Sequence, residues 1–159
     1  MEQVLPYLFI GDLASARDLS LLSTHNIQNV VSVGCVLAEQ VFCTHRLMIC
    51  FADLHDTPET PIFTIFTRTN AFIHTAITSK RPILVHCVYG QSRSAAVVIS
   101  YLLSIGHSLD DAMSLLKSVR PVICINPGFL AQLYVVSTKG LGSTEVVWSM
   151  CFCPLSTHR

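Results

Sequence analysis

An α/β domain with a central, mostly parallel sheet flanked by helices is what the sequence predicts, on three observations. Short branched-aliphatic runs alternate with longer helix-like stretches along most of the chain, the pattern of strand–helix–strand units. The length of 159 residues, 51% of them hydrophobic, fits a single domain with a substantial core. A strand-like run at 81–86 also leads through a short loop into a helix-like run at 94–103, and α/β folds place their ligands beyond the carboxyl end of a strand.

Residues 3–10 read as a first strand, Asp12 to Ser23 as a helix, and Asn29 to Val33 as a second strand. Residues 40–43 read as a short strand and 46–51 as another. Pro61 to Thr78 is long, rich in aliphatic and phenylalanine side chains, and begins with proline, which suits the first turn of a helix whose threonines lower its propensity. Arg81-Pro82-Ile83-Leu84-Val85-His86 has the length and branching of a buried strand, and Ser94 to Leu103 reads as the following helix. Ser108 caps a further helix that Pro121 stops, and Asn126 with Pro127 opens a last one running to about Val136. The chain thus divides into 1–139 and a C-terminal appendage, 140–159, expected to be weakly held.

The loop between strand and helix is His86-Cys87-Val88-Tyr89-Gly90-Gln91-Ser92-Arg93-Ser94, with five residues between the cysteine and the arginine. A helix start presents unpaired N–H groups and the positive end of the helix dipole, so this loop is an oxyanion cradle formed by Val88, Tyr89, Gly90, Gln91, Ser92 and Arg93. The same field would stabilise a Cys87 thiolate and draw its pKa below the free value of about 8.5, making it a nucleophile at neutral pH. Gly90 supplies a mid-loop position that tolerates positive φ, and the planar fork of Arg93 grips two phosphate oxygens. Ser94 is placed to donate its hydroxyl to the departing sulfur. His86 is unsuited as a base for its neighbour Cys87, because adjacent strand side chains face opposite ways; a supporting hydrogen-bond role is expected instead.

This block resembles the active-site signature of cysteine-dependent protein tyrosine phosphatases, most closely that of small atypical dual-specificity phosphatases. Asp56, thirty-one residues before Cys87 in Leu54-His55-Asp56-Thr57-Pro58, matches the family's general acid; Asp53, three residues earlier, is the rival. The stretch Arg120 to Leu133 resembles the family segment whose asparagine, here Asn126, braces the loop, and Val4 to Gly11 resembles its opening strand. The likeness spans about residues 3–136. It implies a protein-tyrosine-phosphatase-like fold and hydrolysis of phosphotyrosine and phosphoserine or phosphothreonine through a phosphocysteine. It calls for no cofactor or metal. Ala often stands in the family where this chain has Tyr89, and a small aliphatic residue where it has Gln91, so the rim of the pocket differs.

Ten basic and ten acidic residues balance, which gives no signature of a nucleic-acid or anionic-membrane surface; the expected partner is a phosphorylated protein. No apolar run reaches the length of a membrane span and no signal-peptide pattern opens the chain, so a cytoplasmic or nuclear location is expected. Seven irregularly spaced cysteines argue against a disulfide framework, and Cys151-Phe152-Cys153 lacks the second ligand pair of a zinc site. Were Cys87 oxidised, Cys124, Cys50 or Cys43 would be the candidates to capture it. Three other readings of the loop are a phosphate-binding module with little turnover, a phosphatase for lipid or RNA 5′ phosphates, and a thiol redox protein. The last leaves Arg93 and the spacing to Asp56 without a purpose.

Overall fold

Residues 3–10 form not one strand but a hairpin, β1 (Glu2–Leu5) and β2 (Leu8–Gly11), antiparallel with Glu2 opposite Ile10 and Leu5 opposite Leu8. The cause is local: Pro6 fixes its own φ, and Tyr7 takes φ 69°, a conformation uncommon outside glycine. Its carbonyl is held there by the Ile83 N–H at 2.8 Å. This computed structural model describes residues 1–35 and 47–141. The expected strand at 40–43, Cys43, Cys151, Cys153 and all of the appendage beyond Leu141 lie outside the described residues.

The helix expected over Asp12 to Ser23 is split into α1 (Leu13–Arg17) and α2 (Leu19–Thr24). Asp18 divides them. Its extended backbone ends α1, while its carboxylate accepts from Leu21 N at 2.9 Å and starts α2, because a short acceptor side chain favours a cap over a helix interior. Asp12 caps α1 in the same way, from Ser15 N at 2.8 Å. Next come β3 (Asn29–Val33) and β4 (Leu47–Phe51), then a 3-10 turn at Ile62–Ile65 that leads into α3 (Phe66–Thr78); the proline-led helix therefore begins tighter than expected. β5 (Ile83–His86), α4 (Arg93–Ser104), α5 (Leu109–Val119, capped by Ser108) and α6 (Pro127–Lys139, capped by Asn126) complete the order, with α6 running one turn past Val136.

The sheet order is β1-β2-β5-β3-β4, with β2, β5, β3 and β4 parallel and β1 the antiparallel edge. β5 lies at the centre, which is why all four of its residues are buried. Alternation sorts the two faces: Leu84 packs with Phe9, Val30, Ala16 and Leu22 on the α1–α2 side. Ile83 and Val85 pack with Leu8, Ile10, Val31 and the residues of α3 to α6 on the other. Ala95 to Leu102 of α4 are all buried, so this helix fills the core, and its small N-terminal residues let it start close under the sheet. Truncating one of these fully buried aliphatics, Leu84→Ala for instance, would cost about 2–5 kcal/mol. The loop 87–92 is thus suspended between the most buried strand and the most buried helix.

Candidate active site

Cys87 follows β5 directly and is 1% exposed. Two groups aim at its sulfur: the Gly90 N–H donates to Sγ at 3.2 Å, and the Ser94 hydroxyl lies 3.2 Å away. Both are within hydrogen-bond reach of that sulfur. Gly90 has φ 65°, and a Cβ there would meet Gly11 O at 2.5 Å and Arg120 Nη2 at 2.7 Å, so the position excludes side chains on two counts.

Arg93, the first residue of α4, is buried with its Nη1 donating to Gly34 O at 2.9 Å and Leu54 O at 3.1 Å. The carbonyls fix the plane of the guanidinium. Its Nε is buried with no hydrogen-bond partner among the described residues and lies 3.8 Å from Asp56 Oδ2. Gly34, at φ 68°, permits this approach: any Cβ there would run into Nη1 and Leu54 O.

Asp56 reaches the same corner. Its Oδ1 accepts from Ser92 Oγ and from Asn126 Nδ2, each at 2.7 Å, which leaves Oδ2 beside Arg93. Asn126 also caps α6 through Oδ1 to Phe129 N at 2.9 Å, and its own N–H donates to Ser92 Oγ at 3.2 Å. The 54–60 loop is pinned at its far end as well, where Gln132 Nε2 donates to Thr60 O at 2.9 Å and Oε1 accepts from Phe63 N at 3.0 Å. Gly128 lets α6 close on Pro58, since a Cβ there would meet the Pro58 backbone. Asp53 is exposed on the same loop.

His86 is fully buried and turned away from the sulfur, with Nε2 at 2.6 Å from Ser32 Oγ and Nδ1 at 3.4 Å from Cys87 O. Burial pushes its pKa down to about 4 against the opposing pull of the Cys87 carbonyl and the Asp12 charge, so the ring is neutral near pH 7. Cys35 stands 3.9 Å from His86 Nδ1, and its thiol is pushed up to about 11, first by burial and then by the neighbouring Cys87. Sequence reasoning named Cys124, Cys50 and Cys43 as sulfurs near Cys87 and passed over Cys35. Cys124 is exposed; Cys50 donates to Cys35 O at 3.2 Å.

On the rim, Tyr89 is 71% exposed, so its ring stands outward from the loop rather than filling it. Beneath it lies a residue that the sequence placed only at the opening of the Arg120 to Leu133 stretch. Arg120, 7% exposed, donates from Nε to Gly90 O at 2.9 Å and from Nη2 to Tyr89 O at 3.3 Å. The same guanidinium pairs with Glu2 Oε2 through Nη1 and with Asp12 Oδ2 through Nη2 at 3.2 Å. No local signal in the sequence joins these three, since Arg120 and Glu2 are 118 positions apart.

Among the described residues no cluster of His, Cys, Asp and Glu has the arrangement to hold a metal ion, and no helix is long and apolar enough to cross a membrane. A cysteine sulfur with a loop N–H aimed at it, a fixed guanidinium and a carboxyl group at its edge together suit in-line displacement at a tetrahedral dianion.

Known proteins show the same arrangement of chain. Residues 8–139 match the model of the dual specificity phosphatase catalytic domain. Dual specificity protein phosphatase 19 of Mus musculus is 36% identical over 149 residues, covering 89% of this chain and 64% of the relative. Dual specificity protein phosphatase 15 of Homo sapiens is 33% identical over 161 residues, 98% of this chain and 54% of the relative. The chain therefore spans less than two thirds of the length of either. The crystal structure of human DUSP28 superposes with a TM-score of 0.80 at 29% identity, over 87% of this chain and 96% of that one. The human tyrosine phosphatase-like serine/threonine/tyrosine-interacting protein superposes with a TM-score of 0.79 at 30% identity, over 87% and 95%.

Proposed function

The chain belongs to the dual specificity phosphatase family, and from that premise we propose that it hydrolyses phosphorylated tyrosine, serine and threonine side chains of proteins through a phosphocysteine intermediate. The observation that carries this reading is the corner where the buried, unpartnered Nε of Arg93 and the free oxygen of Asp56 meet beside the loop of Cys87. In the first displacement the Cys87 thiolate attacks phosphorus in line; the S–P bond forms, the P–O ester bond breaks, and Asp56 gives its proton to the leaving oxygen. Arg93 and the loop N–H groups hold the nonbridging oxygens. In the second, Asp56 takes a proton from water as its oxygen bonds to phosphorus, and the sulfur leaves with a hydrogen bond from Ser94. Val88, Tyr89, Gly90, Gln91 and Ser92 contribute the cradle, His86 holds its base, and Asn126 holds Asp56. Asp53 stays a solvated loop carboxylate.

The outward Tyr89 does not fill the loop, which supports acceptance of all three phosphorylated side chains. The four loop residues between Val88 and Arg93 bring no additional Lys or Arg, which disfavours multiply phosphorylated lipid headgroups or RNA ends. The catalytic unit is residues 1–139, and a reducing compartment, cytoplasm or nucleus, suits a free Cys87 thiol.

A binding module with little turnover is the second reading, and one structural neighbour is itself named tyrosine phosphatase-like and interacting. Turnover separates the two. Hydrolysis of an aryl phosphate by the wild type, its loss in C87S, and a covalent phosphoryl adduct of Cys87 trapped by acid quench and mass spectrometry are expected. Binding without turnover in the wild type would establish the module instead. Comparing phosphotyrosine and phosphothreonine peptides with a phosphoinositide and an RNA 5′ triphosphate fixes the substrate class.

A further inference from the structure

The cradle works only if successive peptide planes present N–H to the centre and C=O to the outside. All described peptide bonds are trans, so in each plane the N–H points opposite to the preceding carbonyl. Four consecutive carbonyls of the loop are each held from outside. Leu13 N–H donates to Val88 O at 3.1 Å and Cys124 N–H to Gln91 O at 3.1 Å, and Arg120 alone takes the two between, Tyr89 O and Gly90 O. The N–H groups opposite those two carbonyls belong to Gly90, which donates to the Cys87 sulfur, and to Gln91.

We propose that Arg120 is the positioning residue of the phosphate cradle, aiming the Gly90 and Gln91 N–H groups at sulfur and phosphate by gripping the carbonyls behind them. It acts without adding charge to the site, because Glu2 on β1 and Asp12 at the start of α1 each place a carboxylate on the same guanidinium. These carboxylates orient the fork so that Nε and Nη2 face the loop. Lysine cannot replace it, for a single ammonium has no rigid fork to span two carbonyls and two carboxylates. The antiparallel edge hairpin thereby becomes part of the active-site scaffold, through Glu2.

This inference rests on the phosphatase reading, and the experiment separates the two. Tungstate affinity is measured by calorimetry on C87S and C87S/R120K, kcat and KM for an aryl phosphate on wild type and R120K, and melting temperature on all of them. Positioning predicts that R120K remains folded but loses tungstate affinity and kcat by roughly ten- to a hundredfold, the worth of one to two charge-assisted hydrogen bonds. Retention of both within twofold would overturn it. Were R120K unfolded, E2Q and D12N keep the arginine and loosen its orientation; a loss of tungstate affinity of about two- to fivefold in variants still folded at the assay temperature is expected, and no loss would overturn the proposal. Were tungstate not bound by C87S at all, the phosphatase reading itself would fail. The amide resonances of Gly90 and Gln91 in R120K would then still judge positioning: displaced if Arg120 aims them, unchanged if it does not.

Discussion

Two buried arginines face the same loop and do opposite things. Arg93 enters from α4 with one nitrogen tied to the carbonyls of Gly34 and Leu54 and with Nε making no hydrogen bond, 3.8 Å from the Asp56 carboxylate, so part of its hydrogen-bonding capacity is kept for an anion. Arg120 enters from the end of α5 with four hydrogen bonds, two to carboxylates and two to loop carbonyls. Its charge is cancelled and its donors are committed. The difference shows what a buried guanidinium can be used for. Left with an open edge it is a binding group, whose desolvation is repaid when a dianion arrives; saturated by the protein it is a bracket.

The largest effect should come from the open arginine. R93K keeps a positive charge but not the fork, and it should lower kcat by roughly 10²–10³ or more while leaving the melting temperature within a few degrees, because only two neutral carbonyls lose a donor. If R93K and R120K lowered kcat equally and destabilised equally, the distinction between binding group and bracket would break. Next comes the proton donor. D56N should lower turnover by roughly 10²–10⁴ for alkyl phosphates such as phosphothreonine peptides, and far less for an aryl phosphate with a good leaving group, whereas D53N should stay within about twofold for both. Equal losses for D53N and D56N would remove Asp56 from the acid's role despite its place beside Arg93.

The open arginine and its carboxylate were legible in the sequence; the bracket was not. Cys87, Arg93 and Ser94 lie within eight positions of a strand–loop–helix junction, so local geometry alone brings them together, and Asp56 and Asn126 were reached only through a family resemblance covering the whole domain. Arg120 closes contacts over 118 positions to Glu2 and 108 to Asp12, and nothing in a single sequence marks a cation as one whose partners lie at the other end of the chain. Gly34 is a similar case: it reads as an ordinary strand end until the path of Arg93 past it is known. The fold shows the same limit at smaller scale. Alternation revealed the strands, but the Pro6-Tyr7 turn and the break at Asp18 depend on one residue each accepting an unusual backbone, Tyr7 because Ile83 holds its carbonyl and Asp18 because its carboxylate caps α2.

Ser94 sharpens the comparison within the chemical step. It touches sulfur but not, by geometry, the first leaving group, so S94A should slow breakdown of the phosphocysteine by roughly tenfold and leave its formation nearly unchanged. A pre-steady-state burst of the aryl alcohol, absent or small in the wild type, is the expected signature. A uniform slowing of both phases would assign Ser94 to loop support alone.

The smallest effect on neutral-pH turnover belongs to His86, which supports the loop from inside the sheet as a neutral ring where Arg120 does so from outside as a cation. Its pKa falls from the ordinary value near 6.5 to about 4 on folding, because burial opposes the charge. The unfolded chain therefore binds a proton below pH 6.5 that the folded chain refuses until pH 4, so the stability this neutral ring allows is complete above 6.5 and is drained as pH falls toward 4, by roughly 3 kcal/mol in all. Asp12 contributes in a separate, lower window. Burial tends to raise its carboxyl, the hydrogen bonds from Ser15 and Arg120 outweigh that and leave it below the usual value, and its stabilising share is lost only below about 3.8. Urea denaturation of H86Q between pH 4.5 and 7 should show a flatter dependence of stability on pH than the wild type, with kcat at pH 7 within a few fold. An unchanged slope would mean that the loop's inner support titrates elsewhere, and that the neutral ring and the saturated guanidinium are not two solutions to the same task.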